Sequence, residues 1–364
     1  MPRSADQNAG LRTVTPAATA VDDVAEVWVL DLLGLPRGGA VGFVTGGTMA
    51  NCTCLAAARD AVLARAGWDI AADGLVGSSG VRVLVGAERH DSVDLVLRYL
   101  GVGAPELVSV DAQGRIDPAA LRETLENGDD RPVVVVLQAG NIDSGAFDPF
   151  EATIAVAHEY GAWVHVDGAF GLFAGATPRY RHLVHGYQAA DSWAPTPTRR
   201  SMCPPTAGWR SCAIRPLCGR RCRCTVTTSS TTPPAIRSRR SPRLSRRARA
   251  FTVWEVLRSL GRSGVAEFVE RLAGHAQAFA DGIAGIEGAD VLNDVVFTRV
   301  CAAFGDDVRT LDVVRRMMEN GTAWTSGSVW REQAMLRISV SNWSTTDDDV
   351  ERTLDALRTA VAAS

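Results

Sequence analysis

Four short stretches of the chain carry residues able to do chemistry, and each stands where an apolar run gives out. The first is "TGGTMAN", Thr45 to Asn51. Two glycines and a threonine between a strand and a helix put backbone N–H groups and a hydroxyl at a helix N-terminus, an arrangement that attracts anions such as phosphate. A tight strand-to-helix turn needing glycine dihedrals would use the same residues. The second, "HVDGAF", sets Asp167 at the end of a very apolar strand, the edge where open α/β sheets collect ligands. A carboxylate buried there requires a cation or hydrogen-bond donors; the plainer alternative is an Asp that caps the next loop. The third is His90 in "GAERHDSVDL", just past a strand and opening a helix, where an imidazole is either a half-buried cap or a flat aromatic face. The fourth, "AGNIDSGAFDP", offers Asn141, Asp143 and Ser144 at another strand end and by itself is a polar turn.

Together the four fit one small molecule, pyridoxal 5′-phosphate. The helix end, through Gly46, Gly47 and Thr48, suits its phosphate, with Asn141 at a neighbouring strand end. The His90 imidazole suits its ring face. Asp167 suits its pyridine nitrogen, keeping it protonated so that the ring accepts electrons.

The elements that must place these residues alternate between strand and helix. From Val24, "VAEVWVLDLLGL" has helical spacing and ends near Gly34. "AVGFVTGGTMANCTCLAAARDAVLARAG" reads as strand, glycine turn and long helix. "VRVLVG", "ELVSV", "PVVVVLQAG" and "AWVHVDGAF" are apolar runs suited to buried strands, with helical segments near 92–100, 118–126 and 151–160 between them. Continuous apolar strands alternating with helices predict a largely parallel sheet covered on both faces. Order resumes at "LSRRARAFTVWEVLRSLG", with a helix over about 264–283, the strand "VVFTRVCAAF", a helix closed by Gly321, the strand "AMLRISVSN" and a last helix opened by Thr345 or Thr346. This second part reads as a smaller α+β unit.

On these motifs the chain resembles the group II pyridoxal-phosphate-dependent decarboxylases, the family of aromatic-L-amino-acid, glutamate and histidine decarboxylases. "GFVTGGTMAN" is similar to the family's phosphate-binding strand and turn, "VHVDGAFG" to the segment whose Asp binds the pyridine nitrogen and whose small residue, here Ala169, lies under the ring. His90 occupies the place of the stacking histidine, and "RISVSNWSTT" is similar to the family's small-domain ending. The likeness runs from about Ala5 to Asp191 and again from about Leu244 onward. It implies fold type I, with a mainly parallel seven-stranded sheet and a small C-terminal α+β domain, and a homodimer with amino-acid substrates in the cytoplasm. The domains expected are a remnant of an N-terminal segment over 1–23, a large cofactor-binding domain over 24–193, an out-of-frame and disordered segment over 194–242, and the end of the large domain with the small one over 243–364.

The departure from the family lies after "ADSW". There the family has a D-x-H-K type motif whose lysine forms the Schiff base; here "APTPTRRSM" puts Arg199 in its place, and the 364 residues contain no lysine. A guanidinium stays protonated in proteins and cannot attack an aldehyde. No acidic residue occurs between Asp191 and Glu255. Codons for Pro195 to Arg199, read from one base earlier, permit Pro-Asp-Ala-His-Lys, and the shifted reading then permits a buried strand. The stretch from about Ala194 to Pro242 therefore reads as out of frame, whether from a decayed gene or a sequencing slip. Shifted GC-rich codons also explain two lures within it. Cys218, Cys222 and Cys224 in "CGRRCRC" match no common zinc spacing, and the arginine run to Arg249 lacks the aromatic interleaving of a nucleic-acid surface.

The function expected is that of an amino-acid decarboxylase, a carboxy-lyase impaired as written, with His90 and Asp167 as its surviving catalytic residues. Two alternatives stay open. One is a non-catalytic cofactor-binding homologue or the pairing partner of an intact subunit. The other is a different fold type I enzyme such as an aminotransferase. With 46% hydrophobic residues, 22% charged and a net charge of -3, composition is that of an ordinary globular chain. No metal, membrane or nucleic-acid partner is expected, since no apolar run approaches the roughly 20 residues of a membrane helix and "MPRSADQNAGLRTV" lacks the apolar core of a signal peptide.

Overall fold

The computed structural model describes residues 14–195, 211–216 and 246–364, the middle stretch as backbone alone. The chain begins with α1 (Pro16–Leu32), β1 (Gly39–Val44), α2 (Gly47–Arg65) and the short α3 (Ile70–Asp73). Next come β2 (Arg82–Gly86), α4 (Ser92–Tyr99), β3 (Glu106–Val108), α5 (Pro118–Glu126), β4 (Val133–Gln138), α6 (Phe150–Glu159), β5 (Trp163–Gly168), β6 (Ser192–Pro195) and β7 (Ser211–Pro216). These strands form a seven-stranded sheet in the order β1-β7-β6-β5-β4-β2-β3. The pairs from β3 to β6 are parallel, and β7 is antiparallel to both β1 and β6. The sheet is the mainly parallel one that the apolar runs predict.

Strand periodicity assigns the two faces. Val135 and Leu137 of β4 belong to the core that packs with α1, α5, α6 and α7 (Ala250–Ala284), whereas Val134 and Val136 belong to the core that packs with α2 and α4. Successive strand residues point to opposite faces, so a strand covered on both sides must be apolar throughout. The same rule on β5 sends Val164 and Val166 to one face and Trp163 to the face of α2. His165 and Asp167 follow Trp163 at intervals of two and share that second face.

The smaller unit holds an antiparallel sheet, β10-β11-β9-β8, built from β8 (Ala289–Val291), β9 (Arg299–Phe304), β10 (Ser326–Trp330) and β11 (Gln333–Ser339). It is covered by α7, α8 (Asp307–Asn320) and α9 (Asp347–Ala362). Gly321 closes α8 at φ 72°, and α9 opens on a capping box in which Thr346 and Asp349 satisfy each other's backbone N–H.

Three expectations need correction. The first helix starts at Pro16 rather than Val24, with proline in its first turn, where the missing N–H is harmless. Helix α7 starts at Ala250, and the break expected before Gly264 is a kink at Gly261, φ 64°, inside one long element. The segment 194–242, expected to lack regular structure, contains the end of β6 and all of β7. A strand in the middle of a sheet is held by its backbone ladder on both sides, so a hydrophobic pattern was the wrong guide there. The rest of that segment lies outside the described residues.

Candidate active site

A cavity of about 850 Å³ opens where the strand ends of the large sheet face the small unit. Thr45, Gly46, Gly47 and Thr48 line one end of it. Only Thr45 and Gly46 separate β1 from α2, so the helix starts at the cavity wall. The first bond of its ladder is Ala50 N–H to Gly46 O, 2.9 Å, which leaves the amides of the first turn directed out of the helix end. Gly46 is extended at φ 165°, a conformation open to any residue. What glycine contributes there is room: a Cβ would meet no protein atom within 4 Å.

Asp167 is 7% exposed and also lines the cavity. Asn51, one turn into α2, donates its Nδ2 to Asp167 Oδ2 at 2.8 Å, and the backbone N–H of Ala169 donates to Oδ1 at 3.1 Å. Burial raises the carboxyl above the ordinary aspartate range, while these two hydrogen bonds and the neighbouring His90 pull it back. Each oxygen keeps a lone pair for a further donor. Behind Asn51 lies His165, fully buried and held neutral by desolvation, its pKa pushed down to about 3. Its Nε2 is 3.1 Å from Asn51 Oδ1 and its Nδ1 3.0 Å from Ser192 Oγ.

His90 lines the cavity and at the same time caps the loop entering α4. Its Nδ1 accepts the Ser92 backbone N–H at 3.0 Å and lies 2.8 Å from Ser92 Oγ, so the second ring nitrogen carries the proton of the neutral form. The loop is fastened from the other unit. Glu88 accepts from Trp330 Nε1 and from Arg331 Nε, both at 2.8 Å. Arg331 and Glu332 form the two-residue tip of the β10–β11 hairpin, with φ of 53° and 68°, the left-handed pair that matches strand twist.

Ala169 lines the cavity as well; Asn141 does not. Its Nδ2 donates to Glu88 O at 3.0 Å and its Oδ1 accepts the N–H of Asp143 and of Ser144, so this amide shapes the turn whose Ile142 reaches the cavity. Ser144 is buried and donates to Gln113 O. Asp143 pairs with Arg337 at 3.0 Å.

Residues that sequence reasoning missed complete the site. Arg299 and Arg337 bring two guanidiniums to the cavity lining. Arg299 lies 4.0 Å above the Phe170 ring and donates to Ser339 Oγ, and the buried Nε of Arg337 has no hydrogen-bond partner among the described residues. Arg337 sits within the "RISVSNWSTT" motif, and its position in a strand facing the strand ends was the available signal. His165 was legible too, because strand residues two apart face the same way. Arg199 and the three cysteines of "CGRRCRC" lie outside the described residues. At the end of the arginine run, Arg246 is buried against Asp22 of α1 at 2.7 Å, a structural pair.

A pyridine ring with an aldehyde and a phosphate fits this set: amides and hydroxyls at a helix end, an acceptor carboxylate at depth, and an imidazole between them. The pyridoxal-dependent decarboxylase conserved domain matches residues 3–211. Among the relatives, phenylacetaldehyde synthase of a Rosa hybrid cultivar is 26% identical over 79% of this chain, and tryptophan decarboxylase 1 of Oryza sativa subsp. japonica 26% over 90%. Acidic amino acid decarboxylase GADL1 of Mus musculus is 27% identical over 79%. The chain spans 59%, 70% and 54% of these relatives' lengths. Among solved structures, Oryza sativa TDC with PLP and tryptamine superposes with a TM-score of 0.88 over 98% of this chain and 78% of that one, at 23% identity. Mouse CSAD gives 0.87 over the same shares, at 21%. Fold, strand-end chemistry and sequence match agree: the chain belongs to the pyridoxal-dependent decarboxylase family.

Proposed function

We propose that the cavity takes pyridoxal 5′-phosphate and an amino acid, and that the chain as written holds the cofactor without tethering it. The observation that carries this is Asp167: a buried carboxylate, fixed by two donors, in a cavity also lined by a helix N-terminus. Gly46, Gly47 and Thr48 would hold the phosphate. His90 and Ala169 would flank the ring, and Asp167 would hold a proton at the pyridine nitrogen. When bound, the cofactor supplies an electron sink for the bond to the departing carboxylate. Arg299 and Arg337 are the cavity-lining cations that would meet the amino acid's own carboxylate. Preorganised charge in a site of low dielectric is where such stabilisation is largest.

The missing amine sets the limit. With Arg199 at the lysine position and no lysine in the sequence, the family's decarboxylation would be negligible. The same absence favours a second reading, a cofactor-binding homologue without catalysis or the partner of an intact subunit. The resemblance supports a homodimer and a cytoplasmic setting. Among the described residues no helix is long and apolar enough to cross a membrane. Titration of the purified chain with the cofactor, followed by tryptophan quenching, tests the reading. Saturable binding is expected, weakened about 10- to 100-fold in Asp167→Asn, the range for one hydrogen bond to a charged group. Equal affinity in the two proteins would remove Asp167 from the site.

A further inference from the structure

Behind Asp167 runs a line of polar groups that no contact with a ligand explains. Trp163 Nε1 is 2.9 Å from Ser192 Oγ, Ser192 Oγ 3.0 Å from His165 Nδ1, His165 Nε2 3.1 Å from Asn51 Oδ1, and Asn51 Nδ2 2.8 Å from Asp167 Oδ2. Of these five residues, Asn51 and Asp167 line the cavity; Trp163, His165 and Ser192 are buried behind them.

The two ends fix the direction of the whole line. An indole N–H only donates, so Ser192 Oγ accepts from Trp163 and keeps its hydroxyl proton for His165 Nδ1. An ionised carboxylate only accepts, so the Asn51 amide must turn its NH2 to Asp167 and its oxygen to His165. That oxygen needs a donor, which only the Nε2–H tautomer supplies. Both arguments reach the same tautomer; desolvation favours the neutral ring over a smaller opposing hydrogen bond to the Ser192 backbone. The placement follows from the sheet: Trp163, His165 and Asp167 alternate onto one face of β5, Ser192 stands opposite His165 in the register of β6, and Asn51 faces them from α2.

We propose that Trp163, Ser192, His165 and Asn51 are positioning residues, a one-way donor chain that keeps Asp167 ionised and its remaining lone pairs available to a protonated pyridine nitrogen. The proposal rests on the cofactor reading above and assigns these residues no contact with substrate. Take away the Ser192 hydroxyl, and His165 Nδ1 becomes a buried acceptor without a donor. The ring then gains by moving its proton to Nδ1, Asn51 loses its donor, and its amide no longer has a reason to face Asp167 with NH2.

The test uses Ser192→Ala, which leaves every cavity-lining residue in place, in the full chain. First, nitrogen NMR of histidine-labelled protein without ligand reads the His165 tautomer, assigned with His165→Gln. The neutral Nε2–H form is expected in the parent chain, and the Nδ1–H form gains population in Ser192→Ala. An Nδ1–H or cationic ring in the parent chain overturns the proposal. Second, affinity is compared for pyridoxal phosphate and for its analogue with carbon in place of the ring nitrogen. Ser192→Ala is expected to weaken the first about tenfold and the second less than about twofold, as one charge-assisted hydrogen bond would. Equal losses for both would reveal a merely structural role and also overturn it. If the parent chain binds neither compound, the cofactor reading falls, and the tautomer measurement still decides the direction of the chain.

Discussion

The floor of the cavity and the stretch that follows β6 are neighbours in sequence and opposites in content. Between Thr45 and Ser192 the chain keeps acidic and basic residues interleaved, buries its strands, and brings a helix end, an imidazole and a hydrogen-bonded carboxylate to one place. From Ala194 to Trp254 it has no carboxylate and no lysine. On the reading proposed above, the residues that would hold a cofactor and the amine that would capture it belong to separate stretches. Asp167 takes its two hydrogen bonds from Asn51 and Ala169, both in the first stretch.

The sharpest way to break this comparison is to restore the second stretch. Sequencing the gene should give codons that, read from one base earlier at Pro195, yield Pro-Asp-Ala-His-Lys. A chain rebuilt in that frame over 194–242 should retain one pyridoxyl group per chain after borohydride, where the present chain retains none on any side chain. Mass spectrometry reads this all-or-none difference, and a trapped side-chain adduct on the present sequence would contradict the separation.

A smaller effect tests whether the turn that follows β4 is as dry as its contacts imply. Asp148 is buried and accepts the N–H of Ile116 and of Gln138 on its two oxygens; burial raises its pKa from 3.8 to about 7. A raised carboxyl favours the folded state at low pH, and that contribution is lost as pH climbs through about 7. His165 works in the opposite sense. Its folded pKa is lowered from 6.5 to about 3, so its contribution is present above 6.5 and lost as pH falls towards 3. Asp148→Asn keeps the size, leaves one of the two N–H groups facing an NH2, and should lower stability by about 1–3 kcal/mol at pH 5. More telling, it should tilt the pH profile of urea denaturation between pH 4 and 6.5 towards a rise with pH, as His165 then faces less opposition. An unchanged profile would mean that water reaches Asp148.

The smallest expected effect is a control in the other unit. Thr346→Ala removes one half of the capping box that opens α9 and should lower stability by about 1 kcal/mol, leaving cofactor titration unchanged. A shift in cofactor affinity would show that the small unit's terminal helix sets the cavity wall.

Most of the fold was legible because covered strands must be apolar on both faces. "PVVVVLQAG" and "AWVHVDGAF" announce β4 and β5 for that reason, and helix boundaries such as Pro118 and Gly321 carry their own stop and start chemistry. β7 was not legible, since a strand between two others is specified by ladder partners distant in sequence. The strand-end rule placed Asp167 and His90 together, and both line the one cavity. Asn141 looked equivalent but does not line the cavity; its side chain bonds its own turn. Ser192 was hidden because a buried polar residue is recognised by its partners, and Trp163 and His165 lie on another strand.

The hairpin tip that grips Glu88 has a consequence for ligand entry. Glu88 is two residues before His90, and Trp330 and Arg331 hold both of its oxygens from the small unit. The wall bearing the two guanidiniums is thus bolted to the loop bearing the imidazole. Whatever moves one of them carries the other along until the Glu88–Arg331 pair and the Trp330 hydrogen bond are undone.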